Sequence, residues 1–115
     1  MRAFLTALMS FFLVLSLAAC TKRAVVQAAT LSPAERQERG KLIYNSNCIA
    51  CHNVDPAQAG SVGPAVKGSS LELLQARILR ADYPAGYKPQ RDTRVMLALP
   101  ALEPEIPAIH AYLNQ

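Results

Sequence analysis

The hydrophobic positions of this 115-residue chain fall into one long run near the start and three short amphipathic stretches further on. From Ala3 to Ala19 the only polar residues are Thr6, Ser10 and Ser16, behind a single cation at Arg2. A basic start, an apolar middle and a small-residue exit predict a signal peptide over 1–19, which routes the chain out of the cytoplasm. A membrane span needs about 20 apolar residues, slightly more than this run supplies, so an anchor helix is the weaker reading. Residues Thr21 to Leu31 carry no periodic pattern and read as a tether, although their alanines and glutamine would also suit an extra helical turn.

The folded domain is expected over 32–115. Ser32-Pro33-Ala34-Glu35 offers a capping serine, a proline at the first helical position and a glutamate at the third, predicting a helix over about Pro33 to Asn47. On it Gly40, Ile43 and Tyr44 share a face, which reads as a helix-crossing surface. Asn53 to Gly63 has no apolar period and reads as loop, closed by Pro64. A second helix is predicted from Ser69 through Arg80, with Glu72 three residues on as in a capping box. Its stripe is Leu71, Leu74 and Ile78, and Arg77 and Arg80 lie in its last turn. Ala81 to Thr93, broken by Tyr83-Pro84, Gly86-Tyr87 and Lys88-Pro89, reads as a long turn region. A third helix of about ten residues is expected from near Glu103 to Leu113, with Ile106, Ile109 and Leu113 on its apolar face and Tyr112 beside them. Pro107 should give it a late start or a kink. No strand-like alternation appears, so the fold class is all-α with long loops.

Composition narrows the function. With 51% apolar and 17% charged residues, and 12 Lys+Arg against 8 Asp+Glu, the chain is neither a disordered polyelectrolyte nor a multi-domain enzyme. Removing residues 1–19 leaves 96, a size at which stability is marginal. There is no tryptophan, and all 3 phenylalanines lie within the first 12 residues, so few large aromatics remain to fill a core. Such a domain gains from a bound cofactor.

Cys48-Ile49-Ala50-Cys51-His52 names a candidate. Two thiols three apart followed at once by an imidazole match the attachment pattern of c-type haem. On one helical turn the thiols of Cys48 and Cys51 can add to the two haem vinyl groups, leaving His52 aimed at the iron. Three readings compete less well. A thioredoxin-like dithiol needs a βαβ context that is missing. A zinc site needs a second ligand pair, and only His110 is left besides. A disulfide between cysteines three apart on a helix is strained. For a sixth ligand the chain offers Met96, the only methionine beyond the leader. A lone methionine is more often core filler, so His110 and an open distal site stay as alternatives.

Two resemblances extend this reading. Leu17-Ala18-Ala19-Cys20 resembles the lipobox of bacterial lipoproteins, which implies a lipidated Cys20 as the mature first residue. Thr21 and Lys22, with no aspartate, imply transport to the outer membrane, on its periplasmic side. Several acyl chains at about 0.8 kcal/mol per buried methylene would hold a small domain firmly on a bilayer. From Gly40 to the C-terminus the chain resembles a class I, monohaem c-type cytochrome. The matching features are Gly40 and Tyr44 ahead of the haem motif, Gly63-Pro64 after it, Met96 in the last third and a final helix ending Ala111-Tyr112-Leu113. The resemblance implies that the first and last helices cross, giving Gly40 and Tyr44 a partner in Tyr112. It also implies that the Pro64 loop receives the imidazole N–H of His52, and that Met96 completes the iron coordination. Many relatives carry proline directly after the methionine, whereas here it is delayed to Pro100.

The function implied is one-electron transfer rather than catalysis, since a His/Met haem has no open site for substrate. Gly63 to Val95 carries Lys67, Arg77, Arg80, Lys88, Arg91 and Arg94 against Glu72, Asp82 and Asp92, which would steer acidic redox partners if ranged round the haem edge. A spread of ordinary solvated charges is an equal reading. A monomer is expected, with no nucleic-acid partner. The alternatives are a small haem c subunit of a larger periplasmic oxidoreductase, for example in sulfur oxidation, and a haem-based sensor.

Overall fold

A computed structural model describes residues 30–92 and 94–115. The expected signal peptide over 1–19, Cys20 and the expected tether as far as residue 29 lie outside the described residues. Those described form three α-helices, α1 (Pro33–Asn47), α2 (Leu71–Arg80) and α3 (Ile106–Leu113), with a six-residue 3-10 helix, Pro100–Glu105, running into α3. No strand occurs among them, and none of their helices is long and apolar enough to cross a membrane.

Helix α1 starts where its sequence says it should. The Glu35 N–H donates to Ser32 Oγ at 3.4 Å, while the Ser32 N–H donates to Glu35 Oε2 at 2.9 Å, so two otherwise orphaned amides are satisfied reciprocally. The second capping box does not form. Ser69 spends its hydroxyl on Val66 O at 2.6 Å, and Ser70 caps α2 instead, accepting from the Leu73 N–H at 3.2 Å. The helix therefore begins at Leu71, whose side chain is exposed, and the buried residues of α2 are Leu74, Ala76 and Ile78. At the far end Ala81 adopts a left-handed conformation, φ 54°, uncommon for a residue with a Cβ. Arg77 supports this turn by donating to Ala81 O at 2.7 Å and laying its guanidinium over the Tyr83 ring, 4.2 Å from the centroid.

The third helix is shorter than expected. Pro104 and Pro107 each lack an N–H, and the chain answers with a 3-10 segment before regular α-helix begins at Ile106, with Pro107 in its first turn. Within α3 the expected face of Ile106, Ile109, Tyr112 and Leu113 is buried, together with Ala108.

Packing of α1 on α3 fixes the architecture. Gly40 lies so close to α3 that a Cβ built on it would stand 2.0 Å from Ala108 O and 2.8 Å from Tyr112 Cβ. One turn on, Tyr44 meets Tyr112 with ring centroids 5.5 Å apart at 52°, a tilted aromatic contact. Helix α2 contributes Leu74 and Ile78 to the same cluster. At the rim, Arg39 forms a two-pronged ion pair with Glu105, Nε to Oε2 at 2.9 Å and Nη2 to Oε1, tying α1 to the segment that leads into α3.

Two tests follow. Gly40→Ala must push α1 off the main chain of α3 and is expected to cost about 3 kcal/mol in denaturant unfolding of the holoprotein; a loss below half of that would refute the close crossing. The Arg39 guanidinium holds the Glu105 carboxyl below its usual range. A lowered folded-state value means the pair stabilises above the unfolded carboxyl's pKa and loses its effect as pH falls through the folded one. Glu105→Gln should therefore be less stable near neutrality, by no more than about 1 kcal/mol because solvent reaches Arg39. The difference should vanish in acid.

Candidate haem site

Helix α1 delivers the cysteine motif. Its C-cap is Cys48, whose N–H donates to Tyr44 O at 2.8 Å. One further turn is closed by the amides of Cys51 and His52, both donating to Cys48 O at 3.2 and 2.9 Å. The motif thus occupies the single turn its spacing predicts, just beyond the helix. Both thiols are free, Cys48 half-buried and Cys51 exposed. Burial and the neighbouring Cys51 push the Cys48 thiol up to about 11, so it stays protonated. Beneath the turn, the Tyr44 hydroxyl donates to Asn53 O at 2.6 Å, and burial lifts it to about 12.

The loop after the motif folds back under His52. Cys51 O accepts the amides of Val62 and Gly63 at 3.2 and 2.9 Å, which brings Gly63 against the imidazole. A Cβ on Gly63 would lie 2.5 Å from Cε1 and 2.6 Å from Nδ1, so the ring occupies the space a side chain would need. The next residue supplies the acceptor, Pro64 O, 2.8 Å from His52 Nδ1. A carbonyl can only accept, so Nδ1 carries the proton and Nε2 keeps its lone pair. The seat therefore selects the tautomer that can bind a metal.

Cys48, Cys51, His52, Pro64 and Met96 all line one cleft of about 330 Å³, whose walls are mostly apolar and include Leu74, Ile78 and Leu113. Met96 is half-buried and packs on the core cluster. His110, the alternative ligand, sits on α3 but does not line the cleft. Among the described residues no group of three or more His, Cys, Asp and Glu is placed to hold a metal ion, which leaves the zinc reading without ligands.

A family model described as Cytochrome c matches residues 37–115. The chain belongs to the cytochrome c family. No curated protein and no solved structure matches it. Family membership makes the cofactor of this cytochrome covalently bound haem c, and its work haem-based electron transfer rather than catalysis. The site fits that group: two free thiols on one turn, an imidazole seated on a glycine with Nε2 left open, and an apolar cleft carrying a thioether.

Several contributors were not assigned a role from sequence. Gly63 was part of a matching dipeptide, but its use as the floor beneath the imidazole needs a contact eleven residues away in the chain. Tyr83 and Tyr87 stack with centroids 5.3 Å apart at 6°, and both line the cleft with Arg77. The spacing of four in the sequence is visible, but in a turn region it signals no common face.

Gly63→Ala should displace the imidazole, since the nearest atoms belong to its ring. Unfolding should become easier by about 2 kcal/mol, and the absorption spectrum of the holoprotein should gain a high-spin component. A variant with unchanged spectrum and stability would show that the ring does not rest on Gly63.

Proposed function

We propose that this cytochrome is a one-electron carrier in which Cys48 and Cys51 form the thioether bonds to a single haem, while His52 and Met96 are its axial ligands. The observation that carries this reading is the seat of His52. Its Nδ1–H is committed to Pro64 O while the ring edge lies against Gly63, so Nε2 is the nitrogen whose lone pair is left for the iron. Bound haem supplies a one-electron couple. The residues do the rest: the Pro64 carbonyl fixes the tautomer and orientation of the imidazole, and the soft thioether of Met96 favours the ferrous state and a higher potential than a second histidine would. The apolar wall formed by the core excludes water and acts in the same direction.

We further propose that the chain is bacterial and exported, its leader ending before a lipidated Cys20 that holds the domain on the periplasmic side of a membrane. Its partners would be redox proteins with acidic surfaces, met through the exposed Lys67, Arg80, Lys88 and Arg94. Arg77 and Arg91 are spent differently, on main-chain carbonyls of their own domain. This leaves fewer cations free to reach a partner than the sequence count of six suggested.

Absorption spectroscopy of protein made in a host that matures c-type haem tests the ligand set. The pyridine haemochrome should show a haem with both vinyl groups saturated, and the oxidised protein should show the weak sulfur-to-iron charge-transfer band. Met96→Ala should abolish that band, and His110→Ala should keep it. Persistence of the band in Met96→Ala would overturn the assignment.

A further inference from the structure

The segment that carries Met96 is held in an unusual way. From Lys88 to Ala98, among the described residues, no main-chain group bonds to another main-chain group. The next main-chain clip comes at Leu99, whose N–H donates to Ile78 O at 2.6 Å. On the other side of Met96 the fastening is made by side chains. Arg91 donates from Nη1 to Val62 O at 2.9 Å and from Nη2 to Gly60 O at 3.2 Å, and Gln90 Nε2 reaches Ala65 O at 3.5 Å. These acceptors bracket Gly63 and Pro64, the two residues that seat the His52 ring.

We propose that Arg91 is a positioning residue: its guanidinium latches the Met96 segment to the loop that seats His52, so that the two axial sides of the site hold each other in place. The planar fork of arginine suits two carbonyls presented side by side, and a charge-assisted bond to each is stronger than a neutral one. Reach supports the role. Arg91 stands five positions before Met96, a stretch that can span at most about 17 Å, whereas without the latch the segment is held next only by the single 3.5 Å bond from Gln90 and, through its main chain, at Tyr87. If loosening the distal segment loosens the proximal loop, the reverse must hold too, because coupling between two sites is reciprocal.

The inference rests on Met96 as the sixth ligand, and the test separates the two. Ferric holoprotein is titrated with imidazole, which competes with Met96, while the sulfur-to-iron band reports the native bond. In parallel, hydrogen exchange is followed at the Val62 and Gly63 amides, whose acceptor is Cys51 O and not Arg91. Arg91→Ala should raise the apparent imidazole affinity about tenfold, as expected for losing charged hydrogen bonds, and should speed exchange at both amides. Arg91→Lys, which keeps the charge but not the fork, should restore only part of each. Glu105→Gln serves as the control for general destabilisation and should leave imidazole affinity unchanged. Arg91→Ala with wild-type affinity, or with faster exchange in the loop but no change in affinity, overturns the latch. Wild-type protein without the sulfur-to-iron band would instead refute Met96 ligation, and the exchange data would then report on the loop fastening alone.

Discussion

Contact between Gly40 and the main chain of Ala108 is the constraint from which the remaining geometry follows. A helix crossing this close admits no side chain at that point, so the two helices can meet in one place only. Once they do, Tyr44 must face Tyr112, and the C-terminal end of α1 is aimed at a fixed spot beside α3. The cysteine turn begins at that end. A displacement of the crossing by one residue would rotate Cys48 away from the wall formed by Ile109 and Leu113, and the attachment points would no longer face the cleft.

The core and the cofactor site are largely the same set of atoms. Tyr44, Leu74, Ile78, Ile109 and Leu113 belong to the buried cluster and also line the cleft. Val66, Met96 and Leu99 pack against that cluster and line the cleft too. For so small a domain, with no tryptophan and no phenylalanine beyond residue 12, a large apolar cofactor completes the core rather than sitting in a pocket beside it. Binding free energy and folding free energy are then hard to separate, because anything that binds only the folded chain stabilises it.

Local signals were legible in the sequence itself, whereas the distant contacts of Gly40 and Tyr44 with Tyr112, and of His52 with Pro64 O, came only through the resemblance to c-type cytochromes, and those of Arg91 did not come at all. The start of α1, the attachment motif and the apolar face of α3 each depend on residues within one or two turns, and all three stand where the pattern places them. The start of α2 was misplaced by the choice between Ser69 and Ser70: both can cap, and only the position of Val66 O decides which hydroxyl is free. Leu71 shares a face with Leu74 by its spacing of three, yet as the first residue of α2 it stays exposed. The 3-10 segment was also missed. Two prolines three apart announce irregularity without saying which form it takes.

The same distinction separates the two sides of the proposed haem pocket. On the His52 side the main chain does the work: Cys51 O accepts two amides, Gly60 and Gly63 bond to each other, and Pro64 O takes the ring proton. Such a loop is tied at several points by its own main chain, and the two bonds from Arg91 add to that hold. On the Met96 side, among the described residues, no main-chain group from Lys88 to Ala98 bonds to another, and the segment is fastened by the side chains of Gln90 and Arg91. Long loops fastened by few bonds open at lower free energy than the parts around them. The histidine side is thus built to stay fixed while the charge on the metal changes, and the methionine side is where this fold can give way first.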